Sequence, residues 1–238
     1  MRELNDTLTD ALLGPILARE PAAPRITHYD DSTGARIELS GLTLANWAAK
    51  TANMIRDEFG LAPGARVSVL LPAHWQTAAV LLGCWWAGTE VVLRPDADAE
   101  LALVSAARID EAGDIAEVAA LSLDPMGMPV ADLPVGVTDY ATSVRAHGDQ
   151  FHPSGAGAAL DGATVAETVA AARASAEQQG FTASDRVLST TDWDTTAHLI
   201  DGLLAVYAAG ASLVQVTAPD PARLEHRIDT ERVTTRRP

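Results

Sequence analysis

The chain has 238 residues, of which 47% are hydrophobic, and is long enough to bury a sizeable core without disulfides. Its single cysteine, Cys84, excludes an internal disulfide and favours a reducing compartment. A net charge of −15 excludes electrostatic attachment to nucleic acid or to an anionic membrane, because both need a basic face. Without an apolar signal region or a long uncharged apolar segment, the sequence predicts a cytoplasmic protein that does not enter membranes.

The first 60 residues predict two helices separated by a β-hairpin. Apolar residues three and four positions apart, from Leu8 to Leu17, predict a first helix that ends before the prolines at 21 and 24. ITHYD and ARIEL flank the turn DSTG and predict the hairpin. Thr43 is expected to cap a second helix, Leu44 to Phe59, which Gly60 ends.

A strand–helix–strand pattern begins at Arg66. RVSVLL predicts a buried strand, HWQTAAVLLGCWWAG a buried helix and EVVL a second strand, which together form a βαβ unit of a parallel sheet. LALVSA and VAALSLD predict two more strands around an acidic helix, IDEAGDIAE. A loop over residues 125–136 then leads to a short helix in DYATSVRAH.

A similar unit recurs about 120 residues later as DRVLST, TTAHLIDGLLAVYAAG and SLVQV. The recurrence predicts two related α/β subdomains. We place the first over residues 1–147, with the N-terminal helix and hairpin, and the second over residues 148–238. The expected fold class is α/β, with mostly parallel sheets flanked by helices.

The run from residue 42 to residue 93, LTLANWAAKTANMIRDEFGLAPGARVSVLLPAHWQTAAVLLGCWWAGTEVVL, resembles the start of adenylate-forming (AMP-binding) enzymes such as acyl-CoA synthetases. GFTASDRVLST and the helix ending in AAGASLVQV resemble the second βαβ unit of that family. The resemblance implies the first half of the family's large domain. The chain is also similar to a short actinobacterial family of about this length.

The segment PSGAGAALDG, residues 153–162, occupies the place of the family's phosphate loop, SGTTGxPKG. An ungapped match sets Ser154, Gly155 and Gly162 on identical residues, but Gly157 replaces a threonine and Asp161 replaces the lysine. A phosphate loop binds through backbone N–H groups, hydroxyls and a cation. A carboxylate about 4 Å from a phosphate repels it by roughly 4 kcal/mol at an effective dielectric constant near 20. The segment is therefore predicted to be a degenerate loop that binds no nucleotide cofactor.

Two other regions supply candidate pocket residues. His74 and Trp75 begin the first buried helix just after a strand, at the edge where parallel sheets bind ligands. Trp193 and Thr195, in TTDWDTTAH, lie where the resembled family tends to show a PLFH-like segment. The chain is expected to end before the family's adenine-contacting and ribose-binding motifs and its adenylating lysine. Because of these departures from the family's pattern, we predict that the chain has no catalytic residues.

The favoured interpretation is a non-catalytic relative of adenylate-forming enzymes that acts as a binding or protein-interaction module. Its expected partners are a second copy in a homodimer, an unknown protein, or a small acyl or aromatic ligand. The alternative is an acyl-CoA-synthetase-like fragment that is active only with a complementing polypeptide.

HGDQFHPSG places His147, Asp149, His152 and Ser154 within eight residues. Metal ligation or a serine nucleophile would use such residues, but the spacing matches neither a zinc motif nor a GxSxG turn. A polar connecting loop is the preferred interpretation, and no metal site is predicted.

Overall fold

A computed structural model describes residues 7–237. Within this range the chain forms two sheets, of five and seven strands, with helices packed against them. The strands are β1 (Pro24–Asp30), β2 (Ala35–Ser40), β3 (Arg66–Leu70), β4 (Glu90–Val92), β5 (Leu101–Ser105), β6 (Glu117–Leu121), β7 (Val137–Asp139), β8 (Ala158–Leu160), β9 (Ala163–Thr164), β10 (Arg186–Ser189), β11 (Ser212–Thr217) and β12 (Thr235–Arg237). The helices are α1 (Leu8–Arg19), α2 (Gly41–Asp57), α3 (Trp75–Trp86), α4 (Tyr140–Val144), α5 (Val165–Gln179), α6 (Thr196–Leu199), α7 (Ala205–Ala208) and α8 (Pro221–Glu231).

The two sheets are mostly parallel, as the sequence predicts. Their strand orders are β12-β10-β11-β1-β2 and β7-β6-β5-β3-β4-β8-β9. The antiparallel pairs among the described strands are the hairpins β1–β2 and β8–β9. Each sheet takes strands from both sides of residue 147, because β1 pairs with β11 and β4 pairs with β8. The subdomain boundary at residue 147 stays a prediction.

The main hydrophobic core runs from α1 to β11 and so joins both sheets. It depends on close contact between α2 and α3. A Cβ atom added to Gly83 would lie 2.5 Å from the Cβ of Thr51, so only glycine permits this separation of the two helices. Trp85 and Trp193, both 1% exposed, fill the core from the first and second halves of the chain.

Two local expectations are corrected by the structure, and two short edge strands are not predicted by the sequence. Helix α2 begins three residues earlier than predicted, because the side chain of Ser40, not that of Thr43, accepts the capping hydrogen bond, at 3.1 Å from the Thr43 nitrogen. The predicted acidic helix in IDEAGDIAE is a 3₁₀ helix over Ala106–Ala112. The edge strands β7 and β12, of three residues each, are too short to show an alternating pattern in the sequence.

The predicted helix in TTAHLIDGLLAVYAAG is present with one irregularity. α6 and α7 are joined through a π-helical turn at Ile200–Leu204, and the residues at both junctions have right-handed helical backbone angles. The three pieces therefore form one continuous helix. None of the helices in residues 7–237 has the length and apolarity that crossing a membrane requires.

Candidate functional site

The segment that matches the phosphate loop forms a tight β-hairpin. Asp161 and Gly162 connect β8 to β9 and have φ angles of 51° and 86°. Two successive positive φ angles are typical of the type I′ turn, in which Asp-Gly is a favoured pair. The Asp-Gly sequence therefore has a structural reason at this position.

The glycines that precede the hairpin allow three backbone segments to touch. The N–H groups of Gly157 and Gly64 donate to the same carbonyl oxygen, that of Gly88, at 3.1 and 2.9 Å. A Cβ atom on Gly157 would lie 2.6 Å from the Cα of Gly64, and one on Gly88 would lie 2.3 Å from the carbonyl oxygen of Gly155. No side chain fits at Gly157 or Gly88, so these two glycines are explained by packing.

The Asp161 carboxylate is held by residues from two other parts of the chain. Its Oδ1 accepts a hydrogen bond from Nη1 of Arg94, which follows β4, and its Oδ2 accepts one from the Thr196 hydroxyl at 3.2 Å. The N–H of Gly162 donates to Oε1 of Glu90 at 2.8 Å. The Arg94 guanidinium beside the loop is thus already paired with a carboxylate.

His74 lies in the core and not on an open pocket wall. It caps α3, and its Nδ1 accepts a hydrogen bond from the backbone N–H of Gln76 at 3.1 Å. Its ring meets the ring of His28 from β1 at a centroid distance of 4.3 Å. Burial lowers the pKa of His74 to about 3 and that of His28 to about 4, so both rings are neutral at pH 7. Sequence reasoning missed His28, whose only signal is its place in the strand ITHYD.

Trp75 and Trp193 are also buried, whereas Thr195 is exposed. Trp75 packs edge-on against Trp47 at a centroid distance of 5.4 Å. The Thr195 hydroxyl caps α6 by accepting the His198 backbone N–H at 3.1 Å. A ligand that contacts either tryptophan would have to displace core side chains.

Asp192 connects the two regions from which the candidate pocket residues come. Its Oδ1 accepts from the backbone N–H of Ala73 at 2.5 Å and from that of Trp193 at 2.8 Å. Ala73 follows β3 of the seven-stranded sheet, and Asp192 follows β10 of the other sheet. The structure therefore brings the His74 and Trp193 segments together and closes their junction with a carboxylate.

The residues of HGDQFHPSG do not all converge. Nε2 of His147 lies 3.0 Å from Oε2 of Glu58, whereas Asp149 and His152 line a cleft of which His147 is not part. Across residues 7–237 no group of three His, Cys, Asp or Glu side chains is arranged to hold a metal ion. Burial raises the pKa of the Cys84 thiol to about 12, which makes it unreactive near neutral pH.

An aromatic cleft of about 400 Å³ opens beside the start of α2. Trp86 and Phe151 contribute its rings, and Leu42 and Ala45 contribute aliphatic surface. Polar atoms come from Asn46 and from the 149–152 segment. A volume of this size accommodates a small organic ligand.

Comparison with known proteins gives the family. The sequence is 56% identical over 236 residues to the "TIGR03089 family protein" of Mycobacterium tuberculosis, an alignment that covers 96% of this chain and 97% of that protein. The chain belongs to the TIGR03089 family. No model of a known protein family matches the sequence.

Solved structures show that this TIGR03089 family chain has the fold of the N-terminal domain of adenylate-forming enzymes. It is similar to the anthranilate CoA ligase AuaEII, in complex with anthranoyl-AMP (TM-score 0.76, 14% identity, 98% of this chain and 50% of that chain). It is also similar to apo MbtA of Mycobacterium smegmatis, with a TM-score of 0.76 and 24% identity over 98% of this chain and 48% of that chain. A third similar structure is an acyl-CoA synthetase of Brucella canis, with a TM-score of 0.78 and 17% identity over 97% of this chain and 47% of that chain. The chain thus spans about half the length of these structures.

Proposed function

We propose that this chain is a non-catalytic relative of adenylate-forming enzymes that works as a binding or protein-interaction module. In this proposal residues 153–162 do not bind MgATP. The observation that carries it is the Asp161 carboxylate, which takes the cation Arg94 and the hydroxyl of Thr196 as its own partners.

The backbone of the same segment supports the proposal. The N–H groups of Gly157, Asp161 and Gly162 donate to Gly88, Val91 and Glu90 of the same chain. Binding a phosphate through them would break these bonds and take a donor away from the carbonyl oxygens of Gly88 and Val91 and from the Glu90 carboxylate. Ser154 is exposed and supplies the single hydroxyl of residues 153–162.

The ligand of the proposed module is a small acyl or aromatic molecule, and the aromatic cleft is its proposed site. Trp86 and Phe151 offer ring faces, and Leu42 is 52% exposed at the edge of the cleft. Burying such surfaces on a ligand is favourable by about 25 cal/mol per Å² of apolar area. A thermal-shift screen with benzoate and short fatty acids tests the site, with Phe151→Ala as the variant that should lose the shift.

The test of the MgATP proposal is a melting curve. A site with a dissociation constant of about 10 μM would, at about 1 mM nucleotide, stabilise the fold by roughly 2.7 kcal/mol. In a chain of this size that raises the melting temperature by roughly 5–10 °C. We expect a rise of less than about 1 °C over magnesium alone. A rise of several degrees that disappears in Ser154→Ala and Gly155→Ala would contradict the proposal.

A complementing polypeptide is the second candidate, favoured by the match to about half of each solved ligase structure. In that case a partner supplies the remaining nucleotide contacts. Purification of the chain from native lysate, followed by an ATP–pyrophosphate exchange assay on the complex, distinguishes the two functions. Exchange activity that depends on the chain would replace the first proposal with the second.

A further inference from the structure

A second cleft, of about 450 Å³, opens where β1, β10 and β11 begin. It lies at the opposite end of β10 from Asp192, and so away from the phosphate-loop segment. Arg19, the last residue of α1, and Arg25 of β1 line it together with Ser184 and Ser212. Arg19 is exposed, whereas Arg25 is only 3% exposed.

The two guanidinium groups converge on one helix end without a counter-ion. Nη1 of Arg25 donates to the carbonyl oxygens of Gly210 and Ala211 at 2.8 and 2.9 Å, and Nη2 of Arg19 donates to that of Gly210 at 3.0 Å. Nε of Arg25 is buried without a partner. Neither arginine forms an ion pair with a carboxylate of residues 7–237. Burial, and then the charge of Arg19, lower the pKa of Arg25, while Tyr207 and Glu20 oppose this.

The neighbouring arginine on β10 has the carboxylate partners that Arg25 lacks. Arg186 also lines the cleft, but its Nη2 donates to Glu38 at 3.1 Å and to Glu231. Two carboxylates of the cleft, Glu20 and Asp185, do not pair with Arg25. Asp185 is already saturated, because it accepts hydrogen bonds from Thr182 and from the two threonines at 234 and 235.

We propose that this cleft binds a phosphate group, carried by a small phosphorylated molecule. The Nε–Nη2 edge of Arg25 is the edge that pairs with an oxyanion through two parallel N–H bonds. Arg19 supplies the second cation. Because the two guanidinium groups come from different elements, a tetrahedral dianion matches them better than a planar carboxylate. This site is independent of the proposed function.

The experiment is a titration with inorganic phosphate at constant ionic strength, followed through the ¹⁵N-labelled arginine Nε–H signals. We expect the Arg25 signal to shift saturably. Arg19→Gln should weaken binding about tenfold, because one charged hydrogen bond is lost. Arg25→Lys keeps the charge but removes the two-point edge, and should weaken binding similarly. The control is Arg108→Gln, which removes an exposed arginine paired with Glu111 and should leave binding unchanged.

Three results would overturn the proposal. A shift that grows linearly with phosphate, or equal weakening by Arg108→Gln, would indicate an adventitious ion only. Acetate that binds as tightly as phosphate would assign the cleft to a carboxylate.

The two sites can be told apart by variants. An MgATP response that is lost in Arg19→Gln but kept in Ser154→Ala belongs to this cleft, and so leaves the proposal for residues 153–162 intact.

Discussion

The carboxylate of Asp161 accepts a hydrogen bond from the guanidinium of Arg94 at the position that matches the lysine of a phosphate loop. The two residues are 67 positions apart, so the pair depends on the parallel contact between β4 and β8. Here the fold supplies the counter-ion of Asp161 from the end of the neighbouring strand.

Asp161→Lys should not create MgATP binding. The lysine would stand beside Arg94 and repel it, and the backbone N–H groups would still donate within the chain. Melting curves with and without MgATP should differ by less than about 1 °C for the variant, as for the unchanged protein. Asp161→Asn is the matched control, because asparagine tolerates the positive φ angle of this turn and carries no charge. A nucleotide-dependent rise of several degrees in the lysine variant alone would contradict this account.

Gly157→Ala should destabilise the fold. The added methyl group would lie 2.6 Å from the Cα of Gly64, and both positions are backbone that cannot rotate away. Forcing an extra methyl group into a filled space typically costs about 1–3 kcal/mol. Chemical denaturation should therefore show a free energy of unfolding lower by that amount.

Gly155→Ala, two residues away, is the control for this prediction. Its added Cβ would lie 3.6 Å from the Cβ of Pro63, an ordinary contact, and the backbone does not have a positive φ angle. We expect a change of less than about 0.5 kcal/mol. Equal stability of the two variants would show that the glycine contact is looser than the structure gives it.

The order of most helices and strands could be predicted because buried parallel strands and amphipathic helices have clear sequence periods. The sequence of residues 153–162 shows a resemblance to a family's phosphate loop, but it does not show that the glycines pack against other backbone segments in this fold. Gly155 and Gly157 are spaced like residues that contact an anion, and the same spacing serves close backbone contact. The positions of Gly64 and Gly88 distinguish the two uses, and those positions come from the tertiary fold.

The candidate pocket shows the same limit. His74 and Trp75 do follow the end of a parallel strand. His28 and Asp192, which belong to the five-stranded sheet and the loop after its strand β10, contact this edge and cover it. The sequence predicts neither the aromatic cleft nor the cleft of Arg19 and Arg25. The first combines α2, the end of α3 and the 149–152 segment, and the second combines the end of α1 with the starts of β1, β10 and β11, so the residues of each are far apart in sequence.

A homodimer is expected to form in solution. Among the described residues, the largest apolar side chains that remain exposed include Met126 (70%), Met128 (53%) and Val135 (106%), all in one loop. Exposed apolar surface of this kind is often covered by a partner. Light scattering at micromolar concentration should give twice the mass of 24.9 kDa. Met126→Glu with Met128→Glu should shift the mass to that of a monomer, whereas a monomeric unchanged protein would refute the expectation.

The buried pair of His28 and His74 should make the fold sensitive to mild acid. Both pKa values lie below the ordinary value of 6.5, at about 4 and about 3, so the folded protein keeps both rings neutral while the unfolded chain protonates them. Their contribution to stability is complete above pH 6.5 and is lost as the pH falls towards 4. Each proton costs about 1.4 kcal/mol per pH unit, so the free energy of unfolding should fall by about 2.7 kcal/mol per unit between pH 6 and 5.

His74→Asn separates this effect from the protonation of carboxylates. Asparagine can still cap α3, as His74 does for the Gln76 N–H, but it does not titrate. The slope of the free energy of unfolding between pH 6 and 5 should therefore fall by about half, to roughly 1.4 kcal/mol per unit. His226→Gln, which changes an exposed histidine on α8, should leave the slope as it is. The measurement is urea denaturation at half-unit pH steps, and an unchanged slope in His74→Asn would show that His74 titrates normally in the folded state.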